Sequence, residues 1–418
     1  MMKAEALAYF ASFPTFAGEA FGLDALKDLL HRLHDPQDEL KCIHVAGTNG
    51  KGSTCEFLHQ ILTAAGIKTG CFTSPALDSV MDQIRIGAHH IDDHSFAELT
   101  AHLQTVIETM PVKPSQFETL TALAFEYFKQ EHCELVILET GLGGTDDATN
   151  VIKRSVLDIM TPIDHDHMGL LGNTLTEIAG HKAGIIKPGD KVLTVDQKPE
   201  AMTVIQKTCD QQQAKLRAAR SPIRKQADIN GQTFVLAGQE YSIGLAGLYQ
   251  INNAALAVQA AQWLGISDAA IRQGLAQTQW PARFEIIAHD PVTILDGGHN
   301  VQGAAVLKES LDRYFPDQKI VFVTGMLADK EYEKMLKIVS PLADRFYTVT
   351  PENPRALSAE ALADWLNNNH QSAQACANVK TALHLARAQG RPVCVFGSLY
   401  AVPAIRRCMQ SENPSKID

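Results

Sequence analysis

The stretch Cys42-Ile43-His44-Val45-Ala46-Gly47-Thr48-Asn49-Gly50-Lys51-Gly52-Ser53-Thr54 decides how this chain is read. Its first five residues form a short, mostly apolar strand candidate. A glycine-rich turn follows, and a helix is expected from Ser53, with Phe57, Leu58, Ile61 and Leu62 on its buried face and Gly66 ending it. Glycines at such a turn let successive backbone N–H groups point at one centre, and the helix N-terminus adds its positive end, which together suit a phosphate. Lys51 can reach outer phosphates, and Ser53 or Thr54 can touch a magnesium ion. The spacing departs from G-x-x-x-x-G-K-[ST], because Gly52 separates Lys51 from Ser53. The plainer reading of the same residues is a tight βα turn that holds nothing.

Working outward, residues 68–73, 135–138 and 156–161 read as strands, and residues 118–127 as a helix. Thr174-x-x-Glu177 has the form of a capping box opening a helix through Ala183. Upstream, residues 5–34 read as helical, with Leu26, Leu29, Leu30 and Leu33 at helical spacing and Pro36 stopping the run. Strands alternating with helices imply a mostly parallel sheet covered on both faces. The stretch 228–243 differs, since Asn230-Gly231 between alternating segments signals a hairpin. Helices are expected over 249–264 and 268–277, and residues 281–291 read as a linker. The βα alternation then restarts, with strands at 293–295, 320–324, 345–349 and 392–396 and helices near 304–313 and 332–339. The fold class is therefore α/β, with a parallel-rich N-terminal domain over 1–286 and a smaller one over 287–418, the boundary falling near 285–290. No repeat of 20–50 residues and no low-complexity tract is found.

Composition agrees with an enzyme. A chain of 418 residues with 45% hydrophobic and 20% charged residues is ordinary globular material for two or three domains. The formal net charge of −10 argues against a nucleic-acid binder held by a broadly basic surface, so an anionic substrate must be met by local groups. No uncharged apolar run reaches the length of about 18 residues that a membrane helix needs. The opening Met-Met-Lys-Ala-Glu has no signal-peptide layout, and the eight cysteines include no Cys-x-x-Cys pair. We therefore expect a cytoplasmic protein with reduced, mostly buried thiols and no nucleic-acid or membrane partner.

Four further places carry chemistry. Glu139 ends an apolar strand and precedes Thr140-Gly141-Leu142-Gly143-Gly144, so it stands at the rim where parallel sheets bind ligands, and a carboxylate there suits magnesium. Asp164-His165-Asp166-His167 closes another strand; one histidine is a metal-ligand candidate, and spacing does not say which. Lys182, among small and apolar residues, is either a snorkelling surface lysine or one of depressed pKa that touches phosphate or is modified. Arg283, in Trp280-Pro281-Ala282-Arg283-Phe284-Glu285, could neutralise charge during phosphoryl transfer, and Asp296-Gly297-Gly298-His299-Asn300 gathers polar groups at a strand exit. The plainer reading of these last two is an interdomain ion pair and a tight βα turn. His89 and His90 read as surface residues.

In this order, the motifs resemble the folylpolyglutamate synthase/dihydrofolate synthase family, relatives of the Mur ligases. The resemblance runs from Leu40 to Tyr400. It rests on the phosphate loop, Thr73-Ser74-Pro75, Phe117-Glu118-x-Leu120-Thr121-Ala122, Glu139–Gly144, Asp147-Ala148-Thr149-Asn150 and Asp166-His167-x-x-x-Leu171-Gly172. It rests also on Lys182-Ala183-Gly184-Ile185-Ile186-Lys187, Asn253-Ala254-Ala255, Arg283-Phe284-Glu285 and Gly325-Met326-Leu327-Ala328-Asp329-Lys330. The resemblance implies a P-loop ATPase-like, Mur-ligase-like domain that binds ATP and a Rossmann-like glutamate-ligase domain, with the site in the cleft. It implies Mg²⁺ at Ser74, Glu139 and His167, and ATP at Gly47, Thr48, Asn49, Gly50, Lys51, Gly52, Ser53 and Thr54. Asn253, Arg283, Asp296 and His299 would also meet the nucleotide. Lys51, Lys182, Glu139, His167 and Arg283 would be catalytic, Lys182 as a carbamate, and Ser398 and Tyr400 would meet the incoming glutamate.

The implied function is ATP-dependent addition of L-glutamate to the γ-carboxylate of a folate through an acyl phosphate, by a monomer. Under the same resemblance dihydropteroate would be a second acceptor, in a dihydrofolate synthase reaction. Ala76, Thr145, Gly298 and His181 stand where the family pattern has histidine, arginine, alanine and glutamate; the first two bear on substrate range, and the ATP and magnesium apparatus is untouched. Two rivals remain at this point. One is a Mur-type ligase acting on a UDP-sugar peptide, disfavoured by the roughly 46 residues before the loop. The other is a nucleotide-binding regulatory ATPase that ligates nothing, disfavoured by the second polar cluster at 296–300.

Overall fold

The computed structural model describes residues 1–14 and 22–412. Its first sheet has eight strands: β1 (Cys42–Ala46), β2 (Thr69–Phe72), β3 (Ile84–Ile86), β4 (His89–His90), β5 (Leu135–Glu139), β6 (Leu157–Met160), β7 (Lys191–Thr194) and β8 (Lys215–Ala218). They lie in the order β4-β3-β2-β5-β1-β6-β7-β8. The six strands from β2 to β8 in this order pair in parallel, and only the β2–β3 and β3–β4 pairings at one edge are antiparallel. Central β1 is buried at every residue, as a parallel strand with helices on both faces must be. The helix Lys51–Ala64 follows it, with Phe57, Leu58, Ile61 and Leu62 fully buried, as the sequence pattern requires.

A second sheet follows the three strands β9 (Ile223–Asp228), β10 (Gly231–Leu236) and β11 (Gln239–Ile243), which form the expected hairpin region. It contains β12 (Glu285–His289), β13 (Val292–Asp296), β14 (Ile320–Thr324), β15 (Ala343–Thr348), β16 (Ala373–Ala375) and β17 (Val393–Phe396), in the order β12-β13-β17-β14-β15-β16. All pairs but β12–β13 are parallel. Its core packs Leu307 and Leu311 of the helix Val301–Tyr314 with Phe322, Phe346 and Phe396. The α/β class with two parallel-rich sheets is thus the observed one.

The contacts divide the chain into two compact units. Unit 1 holds Met1–Ile223, Leu236–Tyr241 and Asn252–Thr278, and unit 2 holds Arg224–Val235, Ser242–Ile251 and Gln279–Asp418. The division interleaves across residues 224–278 and does not follow a single cut.

Two local expectations are corrected. The run 5–34 is not one helix: Lys3–Ala11 and Asp24–Arg32 are separate, and residues 15–21 of that run lie outside the described residues. Pro14 lies between them, and a proline cannot donate to a continuing helix. Residues 285–289 are no linker but the edge strand β12, which pairs antiparallel with β13, Glu285 opposite Leu295. Phe284 and Ile286 pack into the unit 2 core, so burial overrides the flanking prolines. Six of the eight cysteines are buried. Among the described residues no helix is long and apolar enough to cross a membrane.

Candidate active site

Four neighbouring parallel strands, β2-β5-β1-β6, release four loops at their carboxyl ends. Those loops carry Ser74, Glu139–Gly144, Gly47–Thr54 and Thr161–His167. This is the edge at which open α/β sheets bind ligands.

The phosphate loop is built from its backbone outward. Gly47 has φ +149° and lies so close to Thr161 that any side chain would overlap it. The Thr48 hydroxyl donates to Asp164 O and accepts Asp164 N–H, each at 2.9 Å, while Thr48 N–H donates to Pro162 O at 2.8 Å. Gly50, at φ +85°, is the N-cap of Lys51–Ala64 and brings no side-chain cap, so the helix N-terminus keeps its positive end for a ligand. A methyl group on Gly50 would overlap Asn253 Oδ1, which puts Asn253 against the loop. Lys51 Nζ donates to Thr48 O at 3.4 Å. Ser53 and Thr54 are buried in the first helical turn.

Glu139, at the end of β5, is buried, and its Oε2 accepts Ser74 N–H at 3.2 Å. The structure therefore brings these two metal candidates together. The residue types fit magnesium: a hard carboxylate beside Ser74, whose hydroxyl is a further hard oxygen. Among the described residues no three His, Cys, Asp or Glu converge into a metal cage. Magnesium held by one carboxylate and substrate phosphates needs no such cage. His167 sits at φ +49° before the short helix Met168–Leu171, with Nε2 3.8 Å from Asp166 Oδ2. Asp164 pairs with Lys198 at 2.7 Å.

Lys182 is buried, not snorkelling. Its Nζ donates to Gly47 O at 2.7 Å, and burial, then the charge of Lys51, push its pKa down to about 7. The Gly141–Gly144 turn is held on one side by Asp147, whose Oδ2 accepts Leu142 N–H at 2.7 Å. On the other side, Gly144 abuts the backbone of His181 and Lys182. Behind it lies a chain that sequence reasoning missed. Thr149 donates its hydroxyl to Asp147 Oδ1 at 2.6 Å and so accepts from His44 Nε2–H at 2.8 Å. Burial pushes His44 down to about 3, so it stays neutral. Asn150 Nδ2 donates to Thr145 O at 3.0 Å and Gly184 O at 3.2 Å, tying the turn to the Lys182 helix.

Unit 2 carries the second cluster. Asp296 ends β13, 4% exposed: its Oδ1 accepts Gly298 N–H at 2.7 Å, and its Oδ2 accepts Phe284 N–H and the Tyr249 hydroxyl, each at 2.9 Å. Burial raises the pKa of both Asp296 and Tyr249. Arg283 stands between Ala282 and Phe284 in this turn, and His299 Nδ1 lies 3.0 Å from Gly297 O. Ser398 is buried, its hydroxyl accepting Tyr400 N–H at 3.2 Å, and it shares a small crevice with Asp296, Gly325 and Phe396. Tyr400 is 44% exposed.

Residues 45–261 match the Mur ligase middle domain, and residues 282–399 match the Mur ligase, glutamate ligase domain. The chain is 35% identical over 410 residues to the dihydrofolate synthase/folylpolyglutamate synthase of Bacillus subtilis (strain 168), covering 92% of this chain and 94% of that one. The folylpolyglutamate synthase of Lacticaseibacillus casei is likewise 35% identical, over 98% of this chain and 99% of that one. The chain belongs to the folylpolyglutamate synthase/dihydrofolate synthase family. A solved Mycobacterium tuberculosis folylpolyglutamate synthase complexed with ADP superposes on 97% of this chain and 99% of that one, with a TM-score of 0.88 at 28% identity. The polar residues to which sequence reasoning assigned no role are His44 and Thr149 in unit 1 and Tyr249, Glu285 and Arg406 in unit 2. Thr149 and Glu285 stood inside the quoted motifs, and His44 had a signal of its own, a polar residue in the middle of an apolar strand.

Proposed function

We propose that this chain is an ATP-dependent amide ligase that lengthens folates by one γ-linked L-glutamate, with dihydropteroate as a second acceptor in a dihydrofolate synthase reaction. The observation that carries the reading is the phosphate loop with Lys51 and Lys182 on it, set beside the Ser74–Glu139 pair at the ends of adjacent strands. Family membership supplies the substrate class. The folate γ-carboxylate attacks the γ-phosphate of ATP, giving an acyl phosphate and ADP. The glutamate amino group then adds to the acyl carbon, phosphate departs, and the amine proton is lost to solvent or a base. Phosphorylation is needed because oxide is a poor leaving group and phosphate a good one.

The loop amides and the Lys51 ammonium receive phosphate charge that would otherwise repel the incoming carboxylate. Ser74, Glu139 and His167 are the residues we assign to Mg²⁺, which when bound neutralises phosphate charge. Lys182 is neutral in a large share of molecules at pH 7, the form that a carbamate would require. In unit 2, Arg283 is the guanidinium assigned to phosphate, with His299 assigned to the nucleotide and Ser398 and Tyr400 to glutamate; Asn253 of unit 1 is also assigned to the nucleotide. We place the activity in the cytoplasm, in a monomer.

The test is ADP release with Mg-ATP and glutamate in four arms: no acceptor, tetrahydrofolate, dihydropteroate and a UDP-muramoyl dipeptide. ADP only with a pteridine acceptor, and a product heavier by one glutamyl unit, is the expected result. ADP in every arm, or only with the muramoyl compound, overturns the substrate assignment.

A further inference from the structure

The backbone around Arg283 is held in a shape it would not adopt alone. Ala282 has φ +56° and Phe284 φ +53°, so two residues with side chains flank Arg283 in the left-handed region, and both are buried. That region is unfavourable for a residue with a Cβ and persists where surrounding bonds over-determine it. Three bonds fix it here. Ala282 N–H donates to Glu285 Oε2 at 2.7 Å, Ala282 O accepts Gly297 N–H at 2.7 Å, and Phe284 N–H donates to Asp296 Oδ2 at 2.9 Å. The two carboxylates are fixed in turn. Tyr249 donates to Asp296 Oδ2, and Arg406 Nη2, on the helix Val402–Glu412, donates to Glu285 Oε1 at 2.7 Å.

Tyr249 has little freedom of its own. A Cβ on Gly247 would stand 2.9 Å from the Tyr249 ring and 3.0 Å from Phe284 Cβ, so the two side chains close over that glycine. The preceding residues are docked on Val301–Tyr314 by Leu248 N–H to Ser310 Oγ at 3.0 Å and by Tyr314 OH to Ala246 O at 2.5 Å. Tyr249, Asp296, Glu285 and Arg406 thus form two converging braces on a three-residue turn whose middle side chain is Arg283.

We propose that Tyr249 and the Glu285–Arg406 pair are positioning residues, which hold the Ala282-Arg283-Phe284 turn and so aim the Arg283 guanidinium. The inference rests on the proposed reading that Arg283 meets phosphate. It names a role for residues to which that reading assigns no substrate contact.

The full-length enzyme is assayed as Y249F, E285Q, R283A and the double variants Y249F/R283A and E285Q/R283A. Each is checked by near-ultraviolet circular dichroism, and kcat and the KM values for ATP, folate and glutamate are measured. Y249F is expected to lower kcat/KM for ATP about tenfold, with the KM for glutamate unchanged, a misaimed group being costlier than its distance suggests. R283A is expected to lose more, and each double variant to match R283A alone, because a brace has no effect once the group it aims is gone. Losses that multiply in the double variants, or full kcat/KM in Y249F beside a crippled R283A, overturn the positioning role alone. Wild-type kinetics in R283A overturns the phosphate role of Arg283 and this inference with it. E285Q carries the same comparison if Y249F does not fold.

Discussion

The two polar clusters of this molecule are made by opposite means. In unit 1, consecutive residues leaving the ends of adjacent strands supply the groups, and the phosphate loop is mostly backbone. In unit 2, a buried carboxylate gathers backbone amides and a phenol from three separate segments. The first cluster needs glycine where a side chain would overlap; the second needs side chains to hold a turn that its own residues disfavour. A change in the first should therefore act on ligand charge, and a change in the second on geometry.

The largest effect should come from the charges of unit 1. Lys51→Ala and Glu139→Ala are each expected to cut ADP release by roughly 10²–10³-fold or more, while circular dichroism and melting stay near wild type. A folded Glu139→Ala enzyme with full turnover removes that residue from the chemistry. In unit 2, Asp296→Asn keeps the shape but turns an NH₂ toward a former donor, either Gly298 N–H or the Tyr249 and Phe284 pair. It should both slow the reaction and cost about 1–3 kcal/mol in urea unfolding. Slowed turnover with unchanged stability would mean that Asp296 acts on ligand and not on the turn.

Gly47→Ala tests the backbone half of the comparison. Its φ of +149° and its overlap with Thr161 predict a loss of about 1–3 kcal/mol by denaturant midpoint. Wild-type stability would show that the loop relaxes at no cost.

The smallest effect is a pH dependence. Lys182 titrates near 7 in the folded chain and near its ordinary value of 10.5 when unfolded. Between those values the unfolded chain holds the extra proton, so this group makes stability rise with pH over that window. Lys182→Met, read by unfolding free energy and not by activity, should be most favourable relative to wild type below pH 7, with the advantage shrinking toward pH 10. Parallel stability–pH curves for the two proteins would show that Lys182 is not the desolvated lysine of the structure.

Much of unit 1 was legible. The strand–loop–helix from Cys42 to Ala64, the apolar strand ending in Glu139 and the Thr174 capping box follow from local pattern, and each is found. Residues 285–289 were misread because Asp290-Pro291 looked like linker chemistry, whereas the burial of Phe284 and Ile286 decides the matter. The early helix was overextended because leucine spacing at 26–33 says nothing about where a helix starts. Polar residues with distant partners were not legible at all. Tyr249 and Asp296 are 47 positions apart, and Glu285 and Arg406 are 121.

By itself the sequence determined the phosphate loop, the α/β class and the family, because dihedral freedom at glycine, strand burial and helix polarity are properties of neighbouring residues. Only the tertiary structure decided that Lys182 is buried against Gly47, 135 positions away, with its acidity raised. It alone showed Asp296 braced by Tyr249 and Glu285 by Arg406. Those facts depend on desolvation and on which distant group arrives to meet a charge, and neither is a property of the residue or of its neighbours in the chain.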